Sequence, residues 1–216
     1  MKESSKQEKK EQLFDAWSAK YDEMLAAKKA PVSFENYDEV LLAVHEKARV
    51  KEGMKVLDVG TGTGNLAAIF INANCVVWGM DFSAGMLAVA KRKSHTLHTV
   101  QANIAENNWP KELNQRFDRI VSSYVMHDFS FQTKRQLIER LVRDYLSEDG
   151  LLIIADISYP TEIARSEAKS YWGRLWNTDE HYWVADETIS ACQSMGLDCT
   201  YQQVSSCAGV FVIGYQ

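Results

Sequence analysis

Long apolar runs are missing from this sequence: none reaches the roughly 18 residues that a membrane-spanning helix needs. The start, Met1-Lys2-Glu3-Ser4-Ser5-Lys6, leads into more charge where a secretory leader would turn apolar. Basic charge is not in excess either. With 24 Lys and Arg against 29 Asp and Glu the net charge is -5, which disfavours a broad basic face for a nucleic-acid backbone. The four cysteines, Cys75, Cys192, Cys199 and Cys207, form no CxxC pair and have no His at ligand spacing, so they read as reduced thiols. HExxH, DxDxDG and GxSxG are absent, leaving metal hydrolysis and Ser-triad chemistry without support. The expectation is a cytoplasmic protein with no membrane or nucleic-acid partner and no metal site. Its 216 residues suffice for one substantial core.

What is present centres on Lys55-Val56-Leu57-Asp58-Val59-Gly60-Thr61-Gly62-Thr63-Gly64-Asn65-Leu66. Val56, Leu57 and Val59 suit a buried parallel strand, and Leu66, Ala67, Ile69, Phe70 and Ile71 resume at helical spacing. A glycine loop between a strand's carboxyl end and a helix's amino end lets a ligand reach the backbone and its free N–H groups. The spacing is not G-x-G-x-x-G, and no Lys follows the last glycine as a P-loop requires. Instead Asp58 precedes the first glycine by two residues. A negative charge there repels a pyrophosphate and suits a ligand with a cationic amino group.

A second acid, Asp81, ends the apolar run Cys75–Met80, 17 residues after Gly64. At about this separation a strand-end carboxylate offers two acceptors to the two hydroxyls of a ribose. Loop and acid together resemble the class I S-adenosylmethionine-dependent methyltransferases, and the overall impression is of the small bacterial enzymes of the YrrT type. The resemblance implies S-adenosylmethionine as cofactor: Gly60, Gly62 and Gly64 against its methionyl part, Asp58 beside the amino group and Asp81 at the ribose, with the adjoining Phe82 also in the cofactor set. It further implies Asn103 and Ile104 at adenine, with Asn103 standing where the family usually has Asp; the amide oxygen still accepts from the adenine amino group. Ser122, in the fourth strand, completes the cofactor set.

Phe14-Asp15-x-Trp17-Ser18-x-x-Tyr21-Asp22 resembles the F-D-x-x-A-x-x-Y-D segment preceding the domain in small-molecule members, which implies that Tyr21 contacts the cofactor with Trp17 behind it. Read alone, the same residues are an apolar helical stripe. Residues 2–12 read as a solvated helix start, and Pro31 is expected to break the first helix. Phe117–Ser123 reads as the fourth strand, running into a loop that carries His127. The carboxyl ends of first and fourth strands frame the crevice in doubly wound sheets, so His127 is the candidate substrate-side and catalytic residue. Its loop also resembles that of small-molecule methyltransferases.

Thr133–Leu146 reads as an amphipathic helix with Leu137, Ile138, Leu141, Val142 and Tyr145 inward and Lys134, Arg135, Glu139, Arg140 and Arg143 outward. Gly150–Asp156 is the fifth strand. From Ile157 to Ala185 the rhythm lapses into an aromatic segment, a lid over the acceptor or a seal on the core. A last helix closes at Met195-Gly196, and Asp198–Ser205 with Val210–Tyr215 reads as a hairpin.

The expected fold is α/β, Rossmann-like and doubly wound: a seven-stranded, mostly parallel sheet with an antiparallel last strand. One domain spans 1–216, with a helical cover (1–52), a cofactor-binding core (53–156), the insertion (157–185) and the last helix and hairpin (186–216). The expected reaction moves a methyl group to a small-molecule acceptor by in-line displacement. A regulator that binds the cofactor without turnover and a nicotinamide-dependent dehydrogenase are the alternatives.

Overall fold

The computed structural model describes residues 13–16, 18, 20–26 and 34–216. Trp17, Pro31 and residues 2–12 lie outside the described residues. In chain order the helices are α1 (Tyr21–Ala26), α2 (Tyr37–Ala48), α3 (Asn65–Asn72), α4 (Ala84–Lys93), α5 (Phe131–Arg140), α6 (Glu162–Trp172) and α7 (Ala185–Ser194). The strands are β1 (Lys55–Val59), β2 (Val76–Asp81), β3 (His98–Gln101), β4 (Phe117–Ser123), β5 (Leu146–Tyr159), β6 (Trp183–Val184), β7 (Leu197–Gln203) and β8 (Ala208–Tyr215). Contacts gather the described residues into two compact units: those up to 26 with 50–115, and 34–49 with 116–216.

In the first unit β3, β2 and β1 lie side by side, all parallel. Parallel neighbours need a crossover element, and α3 and α4 supply it. Val56, Leu57 and Val59 are fully buried, as an apolar run beneath helices demands. Ser83 caps α4, its Oγ accepting from Met86 N at 3.1 Å.

In the second unit β4 and β5 are parallel, β8 runs antiparallel to β5, and β7 antiparallel to β8. The two-residue β6 adds a short parallel pairing beside the end of β5. The mixed α/β architecture with an antiparallel final hairpin is therefore as expected, while β6 is an addition. β5 runs from Leu146 to Tyr159, longer at both ends than the expected strand, and everything from Leu152 onward is buried.

The fifth helix departs from its expected form. It starts earlier, at Phe131, where Ser130 Oγ accepts from Thr133 N, and a π-turn at Leu141–Tyr145 ends it. Lys134, expected on the outer face, is 1% exposed. The reason is periodic: 134, 137, 138 and 141 fall on one helical face, so the lysine stem enters the core beside Leu137, Ile138 and Leu141. Its ammonium lies 4.1 Å from the centroid of the Trp183 ring and donates to the His181 carbonyl.

Candidate active site

The loop between β1 and α3 is anchored at one carbonyl. Gly60 N and Thr61 N both donate to Met80 O, at 2.7 and 2.9 Å. Gly60, Gly62 and Gly64 have φ of 73°, 53° and 82°, the left-handed region that only glycine enters without strain. At Gly62 a Cβ would meet nothing within 4 Å, so the backbone there faces open space; at Gly64 it would come within 3.0 Å of Ala90 Cβ, so this glycine also lets α4 pack close.

Asp58 is buried behind this loop. Thr61 Oγ1 donates to its Oδ2 at 2.6 Å, and Gly79 makes room for that threonine, since a Cβ there would sit 2.9 Å from Thr61 Cγ2. Asp58 Oδ1 has no hydrogen-bond partner among the described residues. The Ala67 N–H lies close enough to favour the ionised form without completing a bond to that oxygen. Burial, reinforced by the charge of Asp81, pushes the Asp58 carboxyl up to about 7. A buried carboxylate oxygen left unpaired is costly, and a cationic donor would relieve it.

Asp81 ends β2 with both oxygens engaged: Gly62 N donates to Oδ2 and Ser83 N to Oδ1, each at 2.9 Å. A carboxylate oxygen has two lone pairs, so each retains acceptor capacity. Burial raises the Asp81 pKa, opposed by these N–H bonds. Phe82, half-buried beside it, meets Phe14 edge-on at 5.4 Å between centroids.

The segment before β1 reaches this loop through two acids. Asp15 accepts from Ser83 Oγ and, at 2.9 Å, from Gly85 N at the start of α4. Asp22 accepts from Thr63 Oγ1 at 2.7 Å and Asn65 Nδ2 at 3.1 Å, and pairs with Lys93 at 2.8 Å. Between them, Tyr21 is pushed up to about 12 by burial and by the charges of Asp22 and Asp81. Sequence reasoning passed over both acids as functional residues, although they stand in the F-D and Y-D pairs that signalled the segment.

Asn103 follows β3 half-buried; its Oδ1 accepts from Ala105 N at 2.9 Å and its carbonyl from Trp109 Nε1 at 3.0 Å. Ile104 beside it is buried. Tyr21, Asp58, the three glycines, Asp81, Phe82, Asn103 and Ile104 thus all belong to the first unit, whereas Ser122 and His127 belong to the second. Ser122 is buried in β4, in register with Ile154 of β5.

After β4 the chain turns through Tyr124, whose φ of 56° is unusual for a large side chain, and whose ring stacks on Phe34 and Tyr37. A 3₁₀ turn, Met126–Asp128, then presents His127 to Asp156 of β5. Asp156 Oδ1 meets His127 Nδ1 at 2.7 Å and accepts from Ile157 N at 2.8 Å; Oδ2 accepts from His127 N at 2.8 Å and Trp183 Nε1 at 3.1 Å. Burial alone raises the Asp156 pKa, but His127, Lys134 and Trp183 overcome it and hold the carboxyl below its ordinary range. Burial likewise pulls the His127 ring toward neutrality, yet Asp156, with Asp128 and Glu180, holds its pKa above the ordinary histidine value. An ionised Asp156 only accepts, so Nδ1 carries the proton and Nε2 is the basic atom.

A family model described as a methyltransferase domain matches residues 50–195. An uncharacterized methyltransferase of Oceanobacillus iheyensis is 31% identical over 155 residues, 71% of this chain and 69% of the relative. The Bacillus subtilis protein named uncharacterized methyltransferase YrrT is 31% identical over 159 residues, 72% of this chain and 71% of its own. Among solved structures, that of a DhpI–SAH complex superimposes with a TM-score of 0.71 at 15% identity, covering 95% of this chain and 96% of the other. At that identity the likeness speaks for a shared Rossmann-like fold.

Proposed function

The chain belongs to the methyltransferase domain family, and we propose that its methyl donor is S-adenosylmethionine and its acceptor a small molecule whose proton passes to His127. Membership of that family speaks against hydride transfer to a nicotinamide. When bound, S-adenosylmethionine supplies an electrophilic methyl group on a sulfonium whose thioether is already an able leaving group.

The residues of the first unit fit this donor, and the observation that carries the fit is the unpartnered Asp58 Oδ1. It accepts from the amino group of the methionyl part, satisfying an oxygen that is otherwise a buried loss. The open space at Gly62 admits the chain of the donor against the backbone. Asp81 uses its remaining lone pairs for the ribose hydroxyls, and Asn103 Oδ1 accepts from the adenine amino group while Ile104 lies against the ring. Tyr21 closes over this set, held by Asp15 and Asp22. Phe82 completes it.

In the second unit His127 acts on the acceptor. Asp156 fixes the tautomer and orientation of the imidazole, Nε2 would take a proton from the acceptor, and the resulting imidazolium would be stabilised by the buried carboxylate. Positioning of the acceptor in line supplies much of the rest.

Calorimetric titration with S-adenosylhomocysteine tests the donor half. Saturable binding by the wild type, weakened at least ten-fold in Asp58→Asn, is the expected result. Equal binding by both proteins would remove Asp58 from the site.

A further inference from the structure

Lys134 is buried in the second unit, yet it lines a cleft of about 320 Å³ with Phe131, Arg165, Lys169, Trp176 and Tyr182. An ammonium has three N–H bonds to place. One goes to the His181 carbonyl, and the Trp183 face lies beneath at 4.1 Å. No carboxylate among the described residues accepts from it: Asp156 and Glu187 act on it by charge alone. Burying an ammonium with a donor to spare costs free energy unless an anion completes it.

The acids in the cleft wall are largely committed elsewhere. Glu162 pairs with Arg165 at 2.7 Å and accepts from Ser166 Oγ, and Glu180 accepts from Asn177 Nδ2 at 2.6 Å. The wall itself is aromatic and rigid: Trp176 stacks on Tyr159 at 5.9 Å and meets Tyr182 edge-on at 4.7 Å. His181, whose carbonyl accepts from the lysine ammonium, donates its own N–H to the His127 carbonyl at 2.7 Å. The cleft is thus one residue removed from the proposed base. A larger depression of about 480 Å³ lies nearby, but one face of α6 supplies its whole lining, which encloses nothing.

We propose that this cleft binds an oxyanion of the methyl acceptor, with Lys134 as its buried counter-ion, Arg165 and Lys169 at the rim, and Trp176 and Tyr182 against the body of the molecule. The acceptor is then a small organic acid, bearing a carboxylate or a phosphate-type group on an apolar or aromatic body. This rests on the reading of His127 as the residue facing the acceptor.

The test uses the full chain with two probes, benzoate and phenylphosphonate, which separate the two kinds of acid, and reads the indole N–H resonance of Trp176. Saturable perturbation by at least one acid, weakened ten-fold or more in Lys134→Met, is expected. Burial holds the Lys134 pKa down to about 8, against Asp156 from β5, Glu187 from α7 and Asp128, with Arg165 of α6 adding to the depression. Affinity for benzoate, whose own charge is constant there, should therefore be full below that value and fall above it. A Lys134→Met protein that binds either acid as the wild type does, or a wild type that binds neither, overturns the proposal. Should Lys134→Met not fold, Lys169→Glu at the exposed rim replaces it, with a several-fold loss expected and an unchanged affinity contradicting. Failure of S-adenosylhomocysteine to bind while benzoate binds would overturn the methyl-transfer reading alone; the reverse would overturn the cleft alone.

Discussion

Asp156 holds His127 at two points, accepting from its backbone N–H at 2.8 Å and facing its ring Nδ1 at 2.7 Å. The imidazole is therefore fixed in place as well as in tautomer, and its pKa stands above the ordinary 6.5. A base must be neutral to act, so kcat should rise with pH through a value above 6.5. In Asp156→Asn that limb should move to lower pH and the plateau should fall, as a pH–rate profile measures. An unmoved limb would mean that another group titrates.

Removing the base itself gives the companion outcome. His127→Ala should lose about 10²–10⁴-fold in kcat, the usual worth of a positioned base, while S-adenosylhomocysteine affinity stays within two-fold of wild type. A full-rate variant would reduce His127 to packing.

Asp58 should make donor binding pH-dependent. Its carboxyl titrates at about 7 in the free protein, and a cationic amino group favours the ionised form. Affinity for S-adenosylhomocysteine should rise from pH 5.5 to 7.5 and then level off, and Asp58→Asn should flatten that dependence. Titrations at three pH values decide it.

Much of this was legible in the sequence, for a reason of scale. A strand, a glycine loop and a helix start are local, and their chemistry lies in neighbours along the chain, so Asp58, Gly60, Gly62, Gly64 and Asp81 could be picked out as one set. The part played by Asp156 could not, because it depends on how β5 registers against β4 and on a turn 29 residues earlier. Lys134 was misread through its charge, although the 134, 137, 138 and 141 spacing already placed it on the buried face. Tyr159, Trp176 and Tyr182 meet as one wall while Trp183 enters the core against Phe211, a division that spacing alone does not reveal.

Gly64→Ala tests the loop by stability. A side chain at φ 82° is strained, and its Cβ would crowd Ala90, so a loss of about 1–3 kcal/mol is expected. In a chain of this size that lowers Tm by roughly 2–4 °C per kcal/mol. Gly62→Ala meets only the φ penalty, and should cost less in the absence of ligand.

Asp15→Ala should loosen the segment before β1 without touching the glycine loop, since among the described residues its carboxylate accepts from Ser83 and Gly85. Faster amide exchange in residues 20–26 and a several-fold weaker affinity for S-adenosylhomocysteine are expected. Exchange unchanged from wild type would mean that Asp22 suffices to hold the segment.

Incubation of the purified chain with methyl-labelled S-adenosylmethionine and a fractionated cell extract tests the central claim most directly. Label should enter the small-molecule fraction, concentrate in its anionic components, and fall sharply when His127→Ala replaces the wild type. Label in protein or nucleic acid, or S-adenosylhomocysteine binding with no label transferred to any fraction, would contradict the account.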